Sequence, residues 1–203
     1  MTIGEDRNIR FLNNRYEVFD PRTLSGGKRV VELDLGCGSG SFALELARRY
    51  PDRLILASDV MIGRLRKVEK NRTKAGVENV EVLRANNLEL VGYQLPESCI
   101  RRLHVLCPDP WPKKRHRGRR LVSSDFLVRA VRVLEPGGVL HISTDDEEYY
   151  DLIWRNVELC PYLEKDTSGR GIADVTEVKT EFEEQWRAQG KDVPHLVFRV
   201  EKK

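Results

Sequence analysis

Short apolar runs that stop at a glycine or polar turn, each followed by a stretch with helical spacing, recur along this chain and leave few folds open. Val30–Leu35 stops at Gly36-Cys-Gly-Ser-Gly40, after which Phe42, Ala43, Leu46 and Ala47 fall on one face of a helix predicted over Phe42–Tyr50. Leu54–Ser58 ends at Asp59 and leads into a second predicted helix, Val60–Ala75, stopped by Gly76. Val80–Ala85, Leu103–Cys107 and Val139–Thr144 read as three further strands, the last entered through a Pro136-Gly-Gly138 turn. Helical spacing returns at Ser124–Val133, Glu147–Val157 and Thr180–Ala188, and Leu196–Val200 reads as a last strand. This alternation predicts an α/β fold: a doubly wound, mostly parallel sheet covered on both faces, with a final antiparallel strand. Residues 1–28 have weak periodicity and predict an N-terminal arm with at most one short helix around Ile9–Val18. One domain over 29–203 follows, long enough to bury a proper core.

Ligands of such sheets bind beyond the carboxyl ends of the strands, where strand order reverses. The strand ends here carry Asp34–Gly40, Asp59, Asn86-Asn87, Asp109 and Asp145. Five polar ends on one rim predict a binding site there. The turn after the first of these strands reads G-x-G-x-G at Gly36, Gly38 and Gly40, with an acid two residues ahead, whereas a dinucleotide turn reads G-x-G-x-x-G. Asp34 would repel a pyrophosphate and attract an ammonium. Asp59 is placed to accept from ribose hydroxyls, and Asn86 and Asn87 to read an adenine edge. An ammonium, a ribose and an adenine without phosphate describe S-adenosylmethionine, which favours a methyltransferase over a dehydrogenase.

The segment after the fourth of these strands is the most unusual in the chain. Pro108, Pro110 and Pro112 stiffen a turn that holds Asp109 and Trp111, because proline locks φ and lacks an amide donor. Lys113, Lys114, Arg115, Arg117, Arg119 and Arg120 follow directly. The chain has 35 basic and 32 acidic residues, a formal charge of +3; without these six the balance is 29 against 32, or −3. The positive excess therefore lies in one segment, which suits a localised polyanion. Trp111 reads as a residue that packs and stiffens the loop, and His104 as a core histidine with a satisfied partner. His116 reads as support for the cationic run, and Arg64, Lys67 and Lys70 as a solvated helix face more readily than as a secondary RNA face. Four cysteines without two-residue spacing predict reduced thiols and no metal site. No apolar run has spanning length and no signal peptide is evident, so a cytoplasmic protein is expected, its oligomeric state left open.

From about Val30 onward the chain resembles the bacterial tRNA (guanine-N(7)-)-methyltransferases. The likeness rests on Pro108-Asp-Pro-Trp-Pro-Lys-Lys-Arg-His116, Ser143-Thr-Asp145 and Thr180-Glu-Phe-Glu183 leading into Gly190. It implies a Rossmann-like class I methyltransferase fold, S-adenosylmethionine as cofactor, and tRNA as partner, methylated at N(7) of a guanosine in the variable loop. By resemblance Asp34, Asp59, Asn86 and Asp109 are cofactor positions, Asp109 is also catalytic, and Lys113, Asp145 and Thr180–Glu183 contact the substrate. Asp34 stands where the family commonly has glutamate and Asn86 where aspartate is frequent; the arm is shorter than in many relatives. Guanine N(7) carries a lone pair and no proton, so no general base is needed. Asp109 would either support the migrating positive charge or orient the base. A methyltransferase of another RNA or of a small molecule would leave the cationic run unexplained; a non-catalytic RNA-binding module would not need the intact glycine turn.

Overall fold

The computed structural model of the protein describes residues 6, 8–27, 29–178 and 180–201. Residues 1–5, 7 and 28 of the expected arm, and 179, 202 and 203 of the expected domain, lie outside the described residues. Eight strands form one sheet: β1 (Ile9–Phe11), β2 (Val30–Leu35), β3 (Arg53–Asp59), β4 (Val80–Arg84), β5 (Ile100–Leu106), β6 (Leu134–Ser143), β7 (Leu163–Lys165) and β8 (His195–Val200). Their spatial order is β1-β4-β3-β2-β5-β6-β8-β7. The strands from β1 to β6 pair in parallel, whereas β8 runs antiparallel to both β6 and β7. The chain winds outward from β2 through β3 and β4, then returns to start the other half at β5. That reversal leaves a crevice at the carboxyl ends of β2 and β5.

Two apolar layers sandwich the sheet. Helices α1 (Ser41–Arg49) and α2 (Ile62–Ala75) cover one face, burying Phe42, Leu46, Leu65 and Val68 against Ile55, Ala57 and Val82, with Ile172, Val175 and Val178 from the segment before β8. On the other face α4 (Ser124–Val133) and α5 (Glu147–Glu158) bury Phe126, Leu127, Tyr149 and Ile153 over Leu33, Leu103, Leu140 and Phe198. Side chains set these helix starts. Ser123 accepts from the Phe126 amide and Asp146 from the Tyr149 amide, satisfying donors that the first turn leaves open. A single helical turn, α3 (Asn87–Glu89), follows β4, and α6 (Glu181–Ala188) precedes β8. Among the described residues no helix is long and apolar enough to cross a membrane.

Three features depart from the sequence reading. The helix expected around Ile9–Val18 is absent; Ile9–Phe11 is β1, paired with Val82–Arg84. β4 would otherwise present an open edge of N–H and C=O groups, and the arm covers it. Buried Gln94 then holds the arm by donating from Nε2 to the carbonyls of Leu12 and Asn14. The second departure is β6, which begins at Leu134 rather than Val139. Its Pro136-Gly-Gly138 stretch is a bulge, since Ile100 pairs with Leu134 and Arg102 already with Val139. The third is β7, a short edge strand that the sequence reading omitted.

Candidate active site

Two open hollows meet at the carboxyl ends of β2 and β5. One, of about 440 Å³, is lined by Asp59, Asn86 and Asn87 on one side and by Cys107, Asp109 and Trp111 on the other. The second, of about 470 Å³, runs along Asp34, the Gly36–Ser39 turn and the start of α6, with Thr180, Glu181 and Gln185. Gly36, Arg64, Leu106, Cys107 and Asp109 line both. The two hollows thus form a single bent cleft with Asp109 at its elbow.

The glycine turn is shaped by the packing beneath it. Gly40 has φ +82°, and a Cβ there would lie 2.8 Å from both Val68 methyls. Glycine therefore lets α1 start directly against α2. Asp59, 3% exposed, ties the turn down: its carboxylate accepts from the amides of Gly38 at 3.2 Å and Met61 at 2.8 Å. Arg64 Nη1 approaches the same carboxylate at 3.4 Å. Asp34 is equally buried, yet its Oδ2 has no hydrogen-bond partner. Burial, and after it the charge of Asp59, pushes the Asp34 carboxyl up to about 7. A buried oxygen with nothing to accept from, in a cleft that already holds a second acid, suits a cation donor and excludes a phosphate. In the first hollow Asn86 spends its Oδ1 capping α3, accepting from the Leu88 and Glu89 amides. Asn87 Oδ1 is buried without a partner. These two open acceptors, the glycine turn and the apolar walls at Val60, Leu88 and Leu121 fit the ammonium, ribose and base of S-adenosylmethionine.

The Asp109 loop enters and leaves through left-handed residues: Cys107 has φ +47° and Trp111 +45°, neither a glycine. Such backbone persists only where the surroundings hold it. Arg120 supplies much of that hold. Its side chain is 3% exposed, donates from Nε to the Pro110 carbonyl at 2.6 Å and pairs with Glu148 at 3.1 Å. Its guanidinium also lies 5.0 Å from the centre of the Tyr149 ring. The Trp111 ring meets His116 edge-on at 5.7 Å and Arg119 at 5.0 Å, a packed setting. The cationic run forms a 3-10 turn, Lys114–Arg119. Lys113, Lys114, Arg115 and Arg119 are exposed on it. Arg117 is half-buried and paired with Glu148. Expected as a phosphate contact, Arg120 is instead a buried brace, because only its guanidinium reaches back to the loop carbonyl.

The remaining expected residues separate. Thr180 lines the second hollow and caps α6, accepting from the Glu183 amide at 2.9 Å. Glu183 is 2% exposed and faces inward, with Oε1 3.2 Å from His195 Nε2 and 3.3 Å from Arg187. Asp145 lines neither hollow; it borders a neighbouring acidic one with Asp146, Glu147 and Asp192. Glu181, within the expected Thr180–Glu183 stretch, lines the second hollow; sequence reading missed Gln185, and it took Arg64 and Lys67 for plain solvated surface although both stand at the cleft. For Gln185 the available signal was its place one helical turn after Glu181 in α6, and for Arg64 and Lys67 their spacing along α2. Among the described residues no group of three or more His, Cys, Asp or Glu is arranged to hold a metal ion.

Residues 28–196 match a family model described as "Putative methyltransferase". The tRNA (guanine-N(7)-)-methyltransferase of Neisseria meningitidis serogroup A is 33% identical over 178 residues, covering 86% of this chain and 73% of that protein. The Ralstonia nicotianae protein of the same name is also 33% identical, with 86% and 69% covered. The Thermotoga maritima protein so named is 30% identical over 86% of this chain, which spans about half (55%) of that longer relative. Among solved structures, the 16S rRNA methyltransferase KamB superposes with a TM-score of 0.64 at 19% identity, over 92% of this chain and 95% of that one. That likeness shows a shared fold, the one predicted from the alternating strands and helices. With its glycine turn and its Pro-Asp-Pro-Trp-Pro loop on that fold, the chain belongs to the tRNA (guanine-N(7)-)-methyltransferase family.

Proposed function

We propose that the protein transfers the methyl group of S-adenosylmethionine to N(7) of a guanosine in the variable loop of tRNA, in the cytoplasm. The observation that carries this reading is the position of Asp109, shared by both arms of the cleft. The open acceptors Asp34 Oδ2 and Asn87 Oδ1 stand one in each arm, so the cofactor would span both, and the arm with Asn87 also reaches Trp111 and Arg119 beside the cationic turn.

Asp34 would hold the ammonium, Asp59 the ribose hydroxyls, and Asn87 with Asn86 the adenine edge, along the backbone of Gly36, Gly38 and Gly40. When bound, S-adenosylmethionine supplies a sulfonium methyl open to attack by a lone pair. Since guanine N(7) carries no proton, the chain need not supply a base. Its task is to align the base and to exclude water, and alignment is worth roughly 7–11 kcal/mol. Asp109, aimed by Pro108 and Pro110 and by the Arg120 brace, offers a fixed negative charge as positive charge passes to the guanine ring. Lys113, Lys114, Arg115 and Arg119 would take the phosphates, contacts that set position rather than sequence. Arg117 would join them by giving up Glu148. Thr180 and Glu181 would border the base, and Asp145 would meet it from the next strand end. We place the limit of the methyltransferase domain at 28/29, with the residues before it docked as a cover for β4.

Incubation with methyl-labelled S-adenosylmethionine and an unmodified tRNA transcript, followed by nuclease mapping, tests the reading. Label confined to N(7)-methylguanosine in the variable loop is expected. Label on another base, or none on tRNA, overturns it.

A further inference from the structure

A buried line of five side chains crosses the sheet obliquely, from Glu32, level with Arg102, through the register pair His104 and His141 to His195, level with Ser143. Glu32 Oε2 lies 3.0 Å from His104 Nε2, and His104 Nδ1 lies 3.0 Å from His141 Nδ1. His141 Nε2 lies 2.8 Å from His195 Nδ1, and His195 Nε2 lies 3.2 Å from Glu183 Oε1. β2, β5, β6, β8 and α6 each supply one member. All but His195 are almost wholly buried.

Counting protons shows what the line needs. A carboxylate only accepts, and a neutral imidazole has one N–H and one bare nitrogen. Three neutral rings thus bring three protons to four contacts. Both end carboxylates face arginine, a pairing that favours the ionised form. Burial pushes Glu32 up, but the hydrogen bond from His104 and the charges of Arg102 and Arg53 hold it below the usual carboxylate range. Glu183 has Arg187 at 3.3 Å. With three protons, one link brings lone pair against lone pair in a dry interior. A fourth proton completes every contact, and the acids at both ends favour it.

Other charged groups face the line from each packed element. Asp34 is the register partner of His104, and Asp174 sits behind Arg53 and Arg102. On the α1 side the Phe42 ring meets His104, edge-on at 4.9 Å. At the far end Cys107 feels both Glu183 and Asp145. Glu183 belongs to the first turn of α6, which carries Thr180, Glu181 and Gln185 into the cleft wall.

We propose that His104, His141 and His195 hold one proton in common and that this proton, through Glu183, positions the first turn of α6 at the cleft. These histidines are positioning residues. That the wall they set receives the target base rests on the methyl-transfer reading above; the shared proton does not.

The test uses the full chain, labelled with ¹⁵N and free of ligand, followed by long-range ¹H–¹⁵N spectra of its imidazoles from roughly pH 6 to roughly pH 10. His116, outside the line, serves as the reference. The three rings should move together through one transition worth one proton, and the backbone amides of Glu181–Gln185 should follow it. Glu183→Gln offers His195 an amide donor in place of an acceptor, so four contacts are met by three neutral rings and the transition should vanish with the fold intact. Rings that stay neutral throughout, or titrate independently, overturn the shared proton; α6 amides that ignore the transition overturn the positioning. At saturating S-adenosylmethionine, KM for tRNA should rise roughly tenfold as the proton leaves, at nearly constant kcat, and stay level in Glu183→Gln. A KM that ignores the transition in the parent also overturns the positioning. Absence of any methyl transfer would instead strike the proposed function, and the spectra would still decide the proton.

Discussion

Asp34 and Asp59 face one cleft from adjacent strand ends, and only Asp59 has its charge met by backbone amides, at Gly38 and Met61. Asp34 keeps an unpartnered oxygen and a carboxyl pushed up to about 7. Its value in the folded protein lies above that of the unfolded chain, so the native state retains a proton the unfolded state has lost. The fold therefore loses stability as pH rises from about 4 to about 7. The same ionisation creates the anion that an ammonium needs. Affinity for S-adenosylmethionine, measured by calorimetry, should be roughly tenfold weaker at pH 6 than on its plateau above pH 7. Asp34→Asn should weaken binding, abolish this pH dependence and raise the Tm at pH 8. An Asn variant that binds as the parent does would remove Asp34 from the cofactor site.

Arg120 and Arg119 are neighbours in sequence with opposite settings. Arg120→Ala removes the donor to Pro110 and leaves Glu148 and the left-handed loop less supported. It should cost about 2–4 kcal/mol of stability in chemical denaturation and lower kcat as Asp109 loses its aim. Arg119→Ala should leave stability within about 0.5 kcal/mol of the parent. Equal stability losses in the two variants would contradict the brace.

The exposed cations make a separate expectation. Replacing Lys113, Lys114, Arg115 and Arg119 one at a time should each reduce the log–log salt slope of tRNA binding by roughly 0.7–0.9 for every phosphate left unneutralised. KM should rise more than kcat falls. An unchanged slope would mark the turn as plain solvated surface.

Asp109 is best tested by two substitutions compared in single-turnover methylation at saturating cofactor. If its charge supports the transition state, Asp109→Asn and Asp109→Ala should both slow the reaction, by a factor on the order of a hundred. If it orients the base through hydrogen bonds, the Asn variant should keep much more activity than Ala. Parent-like rates in both would reduce Asp109 to a turn residue.

The sequence carried the sheet, its covering helices and the polar rim, because buried parallel strands and amphipathic helices write their periods into local composition. It was silent on β1 and β7, whose three residues each are extended only because a neighbouring strand offers an open edge. The bulge in β6 was equally hidden, since Pro136-Gly-Gly138 reads as a turn unless the pairing with β5 is known. Arg120 could not be told from Arg119 within a run of like charges. Glu32, His104, His141, His195 and Glu183 are strung across most of the chain, and only the strand register brings them into line.

That line has a consequence for folding. Asp34 pairs in register with His104, and His104 with His141, while Glu32 and His195 lie two residues off that level on the same face of their strands, so the polar residues cross the sheet on one face. Leu33, Leu103 and Leu140 occupy the opposite face, beneath α4 and α5. A strand slipped by one residue would turn its acid or imidazole into that apolar layer, away from every partner. Central strands of nearly continuous hydrophobicity have little else to tell one register from the next. The buried polar row marks the alignment, and misaligned sheets would be penalised before the helices finish docking.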